Sequence, residues 1–157
     1  MAPRILILNG NPKSSSFCHQ LADDYENEAK INFEVKRHNI STMVFNPSLD
    51  YGYDDVQSLE PCLKDFQADM SWADHIVIVA PVWWGGIPAK LKGLFDRSFL
   101  PNFSFKYEGE NTLPTQLLTE KTSRIILTMD SPEEYLDVQA APVIAQLDAF
   151  TLPFCGI

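Results

Sequence analysis

The sequence of 157 residues predicts an α/β protein with a doubly wound parallel sheet. Apolar runs alternate with helical patterns from one end to the other, as in successive strand–helix–strand units. Three of the runs are continuously apolar, which is typical of strands that carry helices on both faces. No internal repeat or low-complexity segment interrupts the alternation, so one domain over residues 1–157 is expected.

Four segments have the composition of strands. Residues 5–8, 76–79 and 125–127 are continuously apolar and mostly β-branched, so we expect them at the centre of the sheet. Residues 32–38 alternate apolar and polar side chains, which predicts an edge strand with one wet face. Residues 151–157 resemble the start of a fifth strand, truncated together with the last helix. The expected strand order is 2-1-3-4-(5).

Apolar residues at helical spacing predict the helices between these strands. The first two stripes consist of Phe17, Leu21, Tyr25 and Ala29, and of Leu59, Leu63, Phe66 and Met70. A third helix is expected to begin beside Pro88. Its charged residues off the apolar stripe are Lys90, Lys92 and Arg97. A fourth helix is expected to begin near Pro142, because proline fits the first turn, where its missing N–H costs nothing.

Composition argues against several classes of function. The net charge is -9 and the pI is near 4.6. Because a negatively charged protein repels phosphate backbones, we expect no nucleic-acid partner. Without a long apolar run or an export signal, a cytoplasmic protein with no membrane insertion is expected. The spacing of the cysteines and histidines fits no metal site. We expect the three thiols to be reduced and the three histidines to be surface or structural residues. The thiols are Cys18, Cys62 and Cys155, and the histidines are His19, His38 and His75.

Three connections are expected to meet at the carboxyl ends of the strands, where doubly wound sheets bind ligands. Residues 9–17 lead into a helix start whose free N–H groups, dipole and serines suit a phosphate monoester. An ordinary helix cap with a serine-rich turn is the alternative. The segment contains neither G-x-G-x-x-G nor G-K-[ST], the motifs of dinucleotide and triphosphate sites.

The other two connections carry aromatic residues. Residues 81–88 include the adjacent Trp83 and Trp84, which cannot both enter the same core, and then two glycines that allow a flat ligand to approach. An apolar wall with nearby N–H donors suits an isoalloxazine ring, and burial of both tryptophans beneath the loop is the alternative. Residues 128–135 add further donors and Tyr135, which could bond a quinone or flavin oxygen or could simply pack.

Motifs in five parts of the chain form a specific combination. Residues 9–18, 72–75 and 127–130 accompany a central block, residues 81–97, which reads Pro-x-x-Trp followed by Pro-Ala-x-Leu-Lys-Gly. A Phe-Leu-Pro loop follows at residues 99–107. The combination spans most of the chain and resembles the NAD(P)H:quinone oxidoreductase family, the DT-diaphorase-like branch of the flavodoxin fold, in its short bacterial members. The resemblance implies a flavodoxin-like fold and a flavin cofactor.

The resemblance also implies the residues of the site. The flavin phosphate and ribityl chain would be held by Asn11, Ser16, Phe17 and Cys18. One side of the ring would be bordered by Pro81, Val82, Trp83, Trp84 and Gly85. Another side would be bordered by Thr128, Met129, Asp130, Ser131 and Tyr135, with Tyr135 in the catalytic position. Residues 103–107 would help to form a pocket shared across a homodimer.

The implied activity is two-step hydride transfer from NADH or NADPH, through flavin N5, to a quinone or similar acceptor. FMN is the expected flavin and FAD the alternative. No histidine follows Tyr135, so no proton relay is expected. A regulatory flavoprotein subunit of an ion-efflux system is the alternative function. A phosphoacceptor signalling domain is disfavoured, because Asn9-Gly10 and Ala80-Pro81 stand where it needs carboxylates.

A homodimer is expected from the residues as well. Four large rings lie in one loop, more apolar surface than a lone domain usually exposes. They are Phe99, Phe103, Phe105 and Tyr107. The unpaired edge of a truncated sheet would also favour association.

Overall fold

A computed structural model describes residues 2–109 and 112–157, in which four parallel strands form a sheet in the order β2-β1-β3-β6. Its strands are β1 (Arg4–Asn9), β2 (Glu34–Asn39), β3 (His75–Pro81) and β6 (Thr122–Thr128). A separate antiparallel hairpin pairs β4 (Phe105–Lys106) with β5 (Thr115–Gln116). The predicted order of the first four sheet strands is confirmed, and so is the edge position of the second.

Helices cover both faces of the sheet, because successive strand residues point to opposite sides. On one face, α1 (Phe17–Ala29) packs against Ile5 and Ile7. On the other face, α2 (Pro61–Trp72) and α3 (Ala89–Ser98) pack in the core that contains Leu6 and Leu8. The doubly wound α/β fold is therefore confirmed. In the part of the chain that the structure describes, no helix is long and apolar enough to cross a bilayer.

The strand β6 does not occupy the central position predicted for residues 125–127. It pairs with β3 on one side, and no described strand pairs with its other side. Ile125 and Leu127 nevertheless pack against one core and Ile126 against the other. The apolar run therefore indicated correctly that both faces are covered, but it carries no information about how many neighbours the strand has.

The last helical segment begins earlier than predicted. It consists of α4 (Leu136–Ile144), a wider π-helical stretch (Ala145–Thr151) and α5 (Leu152–Cys155). Pro142 lies inside α4 rather than near its start. A proline inside a helix cannot donate its hydrogen bond, and the wider turns follow it directly.

Residues 151–157 do not begin a fifth strand, because they are mostly helical. Pro153 lies in the first turn of α5, where proline is tolerated. Gly156 ends the helix with φ at +100°, a left-handed conformation that favours glycine. Its N–H donates to the carbonyl of Leu152 at 3.1 Å, which closes the last turn.

Arg97 is buried in α3, with 1% of its surface exposed, although its spacing places it off the apolar stripe. One guanidinium nitrogen, Nη1, donates to the carbonyl oxygen of Asn46 at 2.6 Å. The other, Nη2, donates to the carbonyl of Ser58 at 2.8 Å and to the Glu60 carboxylate at 3.0 Å. These partners make burial of the charge possible, and they attach residues 46–60 to α3.

Candidate functional site

The carboxyl ends of β1, β3 and β6 lie at one edge of the sheet, because the three strands are parallel neighbours. One backbone hydrogen bond joins the first connection to β3, and a second joins the second connection to the third. The N–H of Gly10 donates to the carbonyl of Val79, and the N–H of Val82 donates to the carbonyl of Thr128, both at 2.8 Å. The structure therefore brings together the three connections that the sequence singled out.

The first connection ends at the start of α1. Ser16 is the N-cap, and its Oγ accepts from the N–H of His19 at 3.2 Å. Within residues 2–109 and 112–157, no hydrogen-bond acceptor is found for the N–H groups of Phe17 and Cys18. Ser14, Ser15 and Lys13 are exposed beside them. Free N–H groups, hydroxyls and one ammonium at the positive end of a helix dipole can bind a phosphate.

The second connection forms a tight turn. The N–H of Trp83 donates to the carbonyl of Gly86, and the N–H of Gly86 donates back to the carbonyl of Trp83, both at 2.9 Å. Trp84 and Gly85 occupy the turn with φ of 54° and 67°. Trp83 is 47% exposed and Trp84 is fully exposed, which contradicts burial of both beneath the loop. Two indole rings are available to a flat ligand.

The third connection is joined to the first. The Oγ1 of Thr128 lies 3.1 Å from the Sγ of Cys18, which is buried in the core under α1. The buried thiol leaves only its backbone N–H free to contact a ligand at the start of α1. Asp130 is exposed, Met129 is half-buried and Tyr135 is exposed.

Pro81 and Val82 are also buried, so their contribution to a ligand is limited to backbone groups. Ser131 is half-buried, and its Oγ donates to Oε1 of Gln139 at 2.5 Å. Thus the predicted residues lie at one sheet edge, but several can contact a ligand only through the main chain.

A second concave feature lies outside the three connections. It is an aromatic cavity of about 650 Å³, and the large rings that line it are Tyr53, Phe95, Phe99, Phe105, Tyr107, Phe150 and Phe154. The ring of Phe105 meets those of Tyr107 and Phe154 edge to face, at centroid distances of 5.9 and 5.0 Å. Burial raises the pKa of the Cys155 thiol in its wall, which favours the neutral form.

The cavity corrects the expectation that four rings of one loop are exposed. Phe99 and Phe105 are only 8% and 7% exposed, whereas Tyr107 is 59% exposed. The other exposed rings come from distant segments, at Tyr53, Phe150 and Phe154. Sequence reasoning did not place these three in one cavity, because nothing local indicates that their segments meet.

The fold is that of a doubly wound α/β protein. Residues 9–17, 81–88 and 128–135 meet at its topological switch point, where such folds bind ligands, and this three-loop edge is the candidate site. A family model for the flavodoxin-like fold matches residues 3–157, and the chain belongs to this family. The resemblance noted in the sequence is thereby confirmed at the level of the family. An uncharacterized NAD(P)H oxidoreductase of Haemophilus influenzae is 32% identical over 133 residues, 80% of this chain. That match covers 64% of the relative, so the chain spans less than two thirds of its length.

Two solved structures share the fold at lower identity. An NAD(P)H:quinone oxidoreductase from Methanothermobacter marburgensis has a TM-score of 0.72 at 19% identity, over 95% of this chain and 78% of that one. An FMN-dependent NADH-azoreductase from Bacillus anthracis, in complex with FMN, has a TM-score of 0.73 at 20% identity, over 98% and 82%. At these identities the likeness establishes the fold alone.

Proposed function

We propose that the chain binds FMN at the three-loop edge and acts as an NAD(P)H oxidoreductase. One observation carries the proposal. The structure places the free N–H groups at the start of α1 at the same sheet edge as the exposed turn of Trp83 and Trp84. A phosphate site beside a flat aromatic wall fits a flavin mononucleotide, and FAD is the alternative. The relatives named above, an NAD(P)H oxidoreductase and an FMN-dependent azoreductase, support this function.

Each connection has a distinct task in this proposal. The first binds the phosphate through the N–H groups of Phe17 and Cys18, the hydroxyl of Ser16 and the side chain of Asn11. The second stacks against the ring and presents backbone N–H groups from the turn at Gly85. The third borders the ring through residues 128–131. These contacts orient the ring and stabilise negative charge on its N1/O2 edge.

When bound, the flavin supplies the redox chemistry, accepting hydride at N5 from NADH or NADPH and passing it to an acceptor. In this proposal one face of the ring stays open, so that both substrates can bind in turn. Tyr135 is exposed at this edge, where its hydroxyl can donate to a carbonyl oxygen of a quinone. Quinones are the proposed acceptors. An azo compound, the substrate class named for one structural neighbour, is the closest alternative.

We also propose a homodimer in which the aromatic cavity closes the flavin site of the partner. In one chain the tryptophan turn leaves Trp84 fully exposed, and the residues that line the cavity belong to none of the three connections. Three of the lining residues, Tyr107, Phe150 and Phe154, have exposed fractions of 59%, 69% and 43%. Apposition of the two surfaces would remove both exposed patches from water. A single domain and a cytoplasmic location complete the proposal.

Steady-state turnover tests the activity. With oxygen excluded, the FMN-loaded chain is expected to oxidise one equivalent of NADH or NADPH as its flavin is reduced, and then one further equivalent for each soluble quinone added. The matched control is the chain without flavin, which should not turn over. Flavin binding with no reduction of a quinone or of any other acceptor would instead support the regulatory flavoprotein, which no relative named above favours.

A further inference from the structure

A buried carboxamide links the first connection to two other elements. Asn9, the last residue of β1, is 0% exposed. Its Oδ1 accepts from the N–H of Asn11 at 3.2 Å. Its Nδ2 lies 2.9 Å from Nδ1 of His19 in α1 and 3.2 Å from Oδ1 of Asn39, which ends β2. The side chain of Asn9 therefore forms hydrogen bonds with the first connection, with the start of α1 and with the neighbouring strand β2.

The partners determine the orientation of this carboxamide. The N–H of Asn11 can only donate, so the atom of Asn9 that faces it is the oxygen. The Nε of Arg37 likewise only donates, at 3.0 Å, so Asn39 presents its oxygen to Asn9. Nδ2 of Asn9 is then the donor to His19, whose Nδ1 accepts and whose ring proton lies on Nε2.

A second carboxamide continues the pattern toward the phosphate site. Asn11 is 7% exposed, and its Oδ1 accepts from the N–H of Lys13 at 3.0 Å. Two successive hydrogen bonds of this kind set the path of the chain from β1 to the serines before α1. His19 lies in the first turn of α1, so its bond to Asn9 sets the helix start relative to that path.

We infer that Asn9 is a positioning residue that holds the first connection in the form that binds the flavin phosphate. The inference rests on the proposed function, because it assumes that a flavin phosphate binds at the start of α1. Asn9 itself touches no ligand, since it is fully buried. Removing it should therefore weaken recognition of the phosphate specifically, while the wall for the ring remains in place.

The test compares FMN with riboflavin, which has the same ring but no phosphate, by fluorescence titration. Asn9→Leu keeps a large side chain in the strand and removes all three hydrogen bonds. We expect the dissociation constant for FMN to rise about tenfold, and that for riboflavin less than about threefold. The matched control is Asn46→Ala, because Asn46 also accepts from an N–H two residues on, that of Ser48 at 3.0 Å. It should leave the FMN-to-riboflavin ratio unchanged.

Asn39→Ala is the second variant and decides the test if Asn9→Leu does not fold. Asn39 lies on β2, outside the three connections, and its link to the site passes through Asn9. We expect an FMN-specific loss of about threefold. Equal losses for FMN and riboflavin, or no loss in either variant, would overturn the inference while leaving the proposed function intact. A native chain that binds FMN no better than riboflavin would refute the phosphate site itself.

Discussion

Trp84 combines a left-handed backbone, with φ of 54°, and a fully exposed side chain. A turn with two positive φ values favours glycine or asparagine, so tryptophan at this position costs backbone energy and gains no burial. Trp84→Gly should therefore change the free energy of unfolding by less than about 1 kcal/mol. The free energy of FMN binding should become less favourable by roughly 1–3 kcal/mol, because the aromatic wall is lost.

Thermal unfolding of the flavin-free chain and FMN titration measure the two effects separately. Trp72→Ala is the control, because Trp72 is half-buried at the end of α2 and lies outside the three connections. It should lower stability and leave FMN affinity unchanged. An unchanged affinity in Trp84→Gly would show that this ring does not contact the flavin.

The carboxylate of Asp74, which lies just before β3 at the end of the sheet away from the three-loop edge, predicts that the stability of the fold depends on pH. Hydrogen bonds from the side chain and backbone N–H of Arg4 lower the pKa of Asp74 from 3.8 to about 2. A depressed pKa in the folded state contributes stability above the ordinary pKa, and this contribution disappears as pH falls from about 4 to about 2. The melting temperature of Asp74→Asn should therefore vary less over this window. Asp55→Asn, at an exposed carboxylate, is the control, and parallel curves for native and Asp74→Asn would contradict the assignment.

The site residues that could be predicted are those with a local signature. Ser16 and Trp84 stand beside a helix start and a glycine pair, which make them candidates, and the family resemblance gave each its expected role. Asn9 could not be assigned, because its partners His19 and Asn39 lie 10 and 30 residues away in sequence. Only the pairing of β1 with β2 and α1 brings these polar groups together.

At the scale of elements, α3 packs closely against residues 46–60. The contact at Gly93 leaves no space for a side chain. A Cβ added to Gly93 would lie 2.5 Å from the Cβ and the carbonyl oxygen of Pro47. Helix propensity alone would make Gly93→Ala stabilising by about 1 kcal/mol. The clash should win, because a backbone oxygen cannot move aside, and we expect a loss of about 1–3 kcal/mol.

Chemical denaturation measures this difference. Gly86→Ala is the matched control, since the nearest atom to its new Cβ would be the carbonyl oxygen of Trp83 at 3.6 Å. It should change the free energy of unfolding little. A more stable Gly93→Ala variant would mean that Pro47 does not pack against α3 as described.

The elements also mark the limit of sequence patterns. The apolar run of β6 predicted covered faces, which the structure confirms, and a central position in the sheet, which is wrong, because no described strand pairs with its outer side. Pro142 predicted a helix start because proline is tolerated there, whereas packing of Val143 and Leu147 in the core holds it inside a longer helix. In both cases tertiary packing outweighed a local preference.

At the scale of the whole molecule, the proposed dimer depends on the rings around the aromatic cavity. Phe154→Ala and Tyr107→Ala should each raise the dimer dissociation constant at least about tenfold, as for central aromatic contacts, and should weaken FMN binding. Light scattering at micromolar concentration measures the first effect. Phe33→Ala is the control, because Phe33 is 39% exposed beside β2 at the opposite edge of the sheet. A native chain that is monomeric while it binds FMN and reduces quinone would contradict the dimer.

The presence of a flavin site at the three-loop edge is the central claim, and cofactor stoichiometry tests it most directly. The purified chain, reconstituted with excess FMN and freed of unbound ligand, is examined by its absorbance spectrum and by mass analysis of the released cofactor. We expect about one FMN per chain, because one phosphate-binding helix start and one tryptophan turn meet at this edge. Absence of the blue flavin band after reconstitution with either FMN or FAD would contradict the claim.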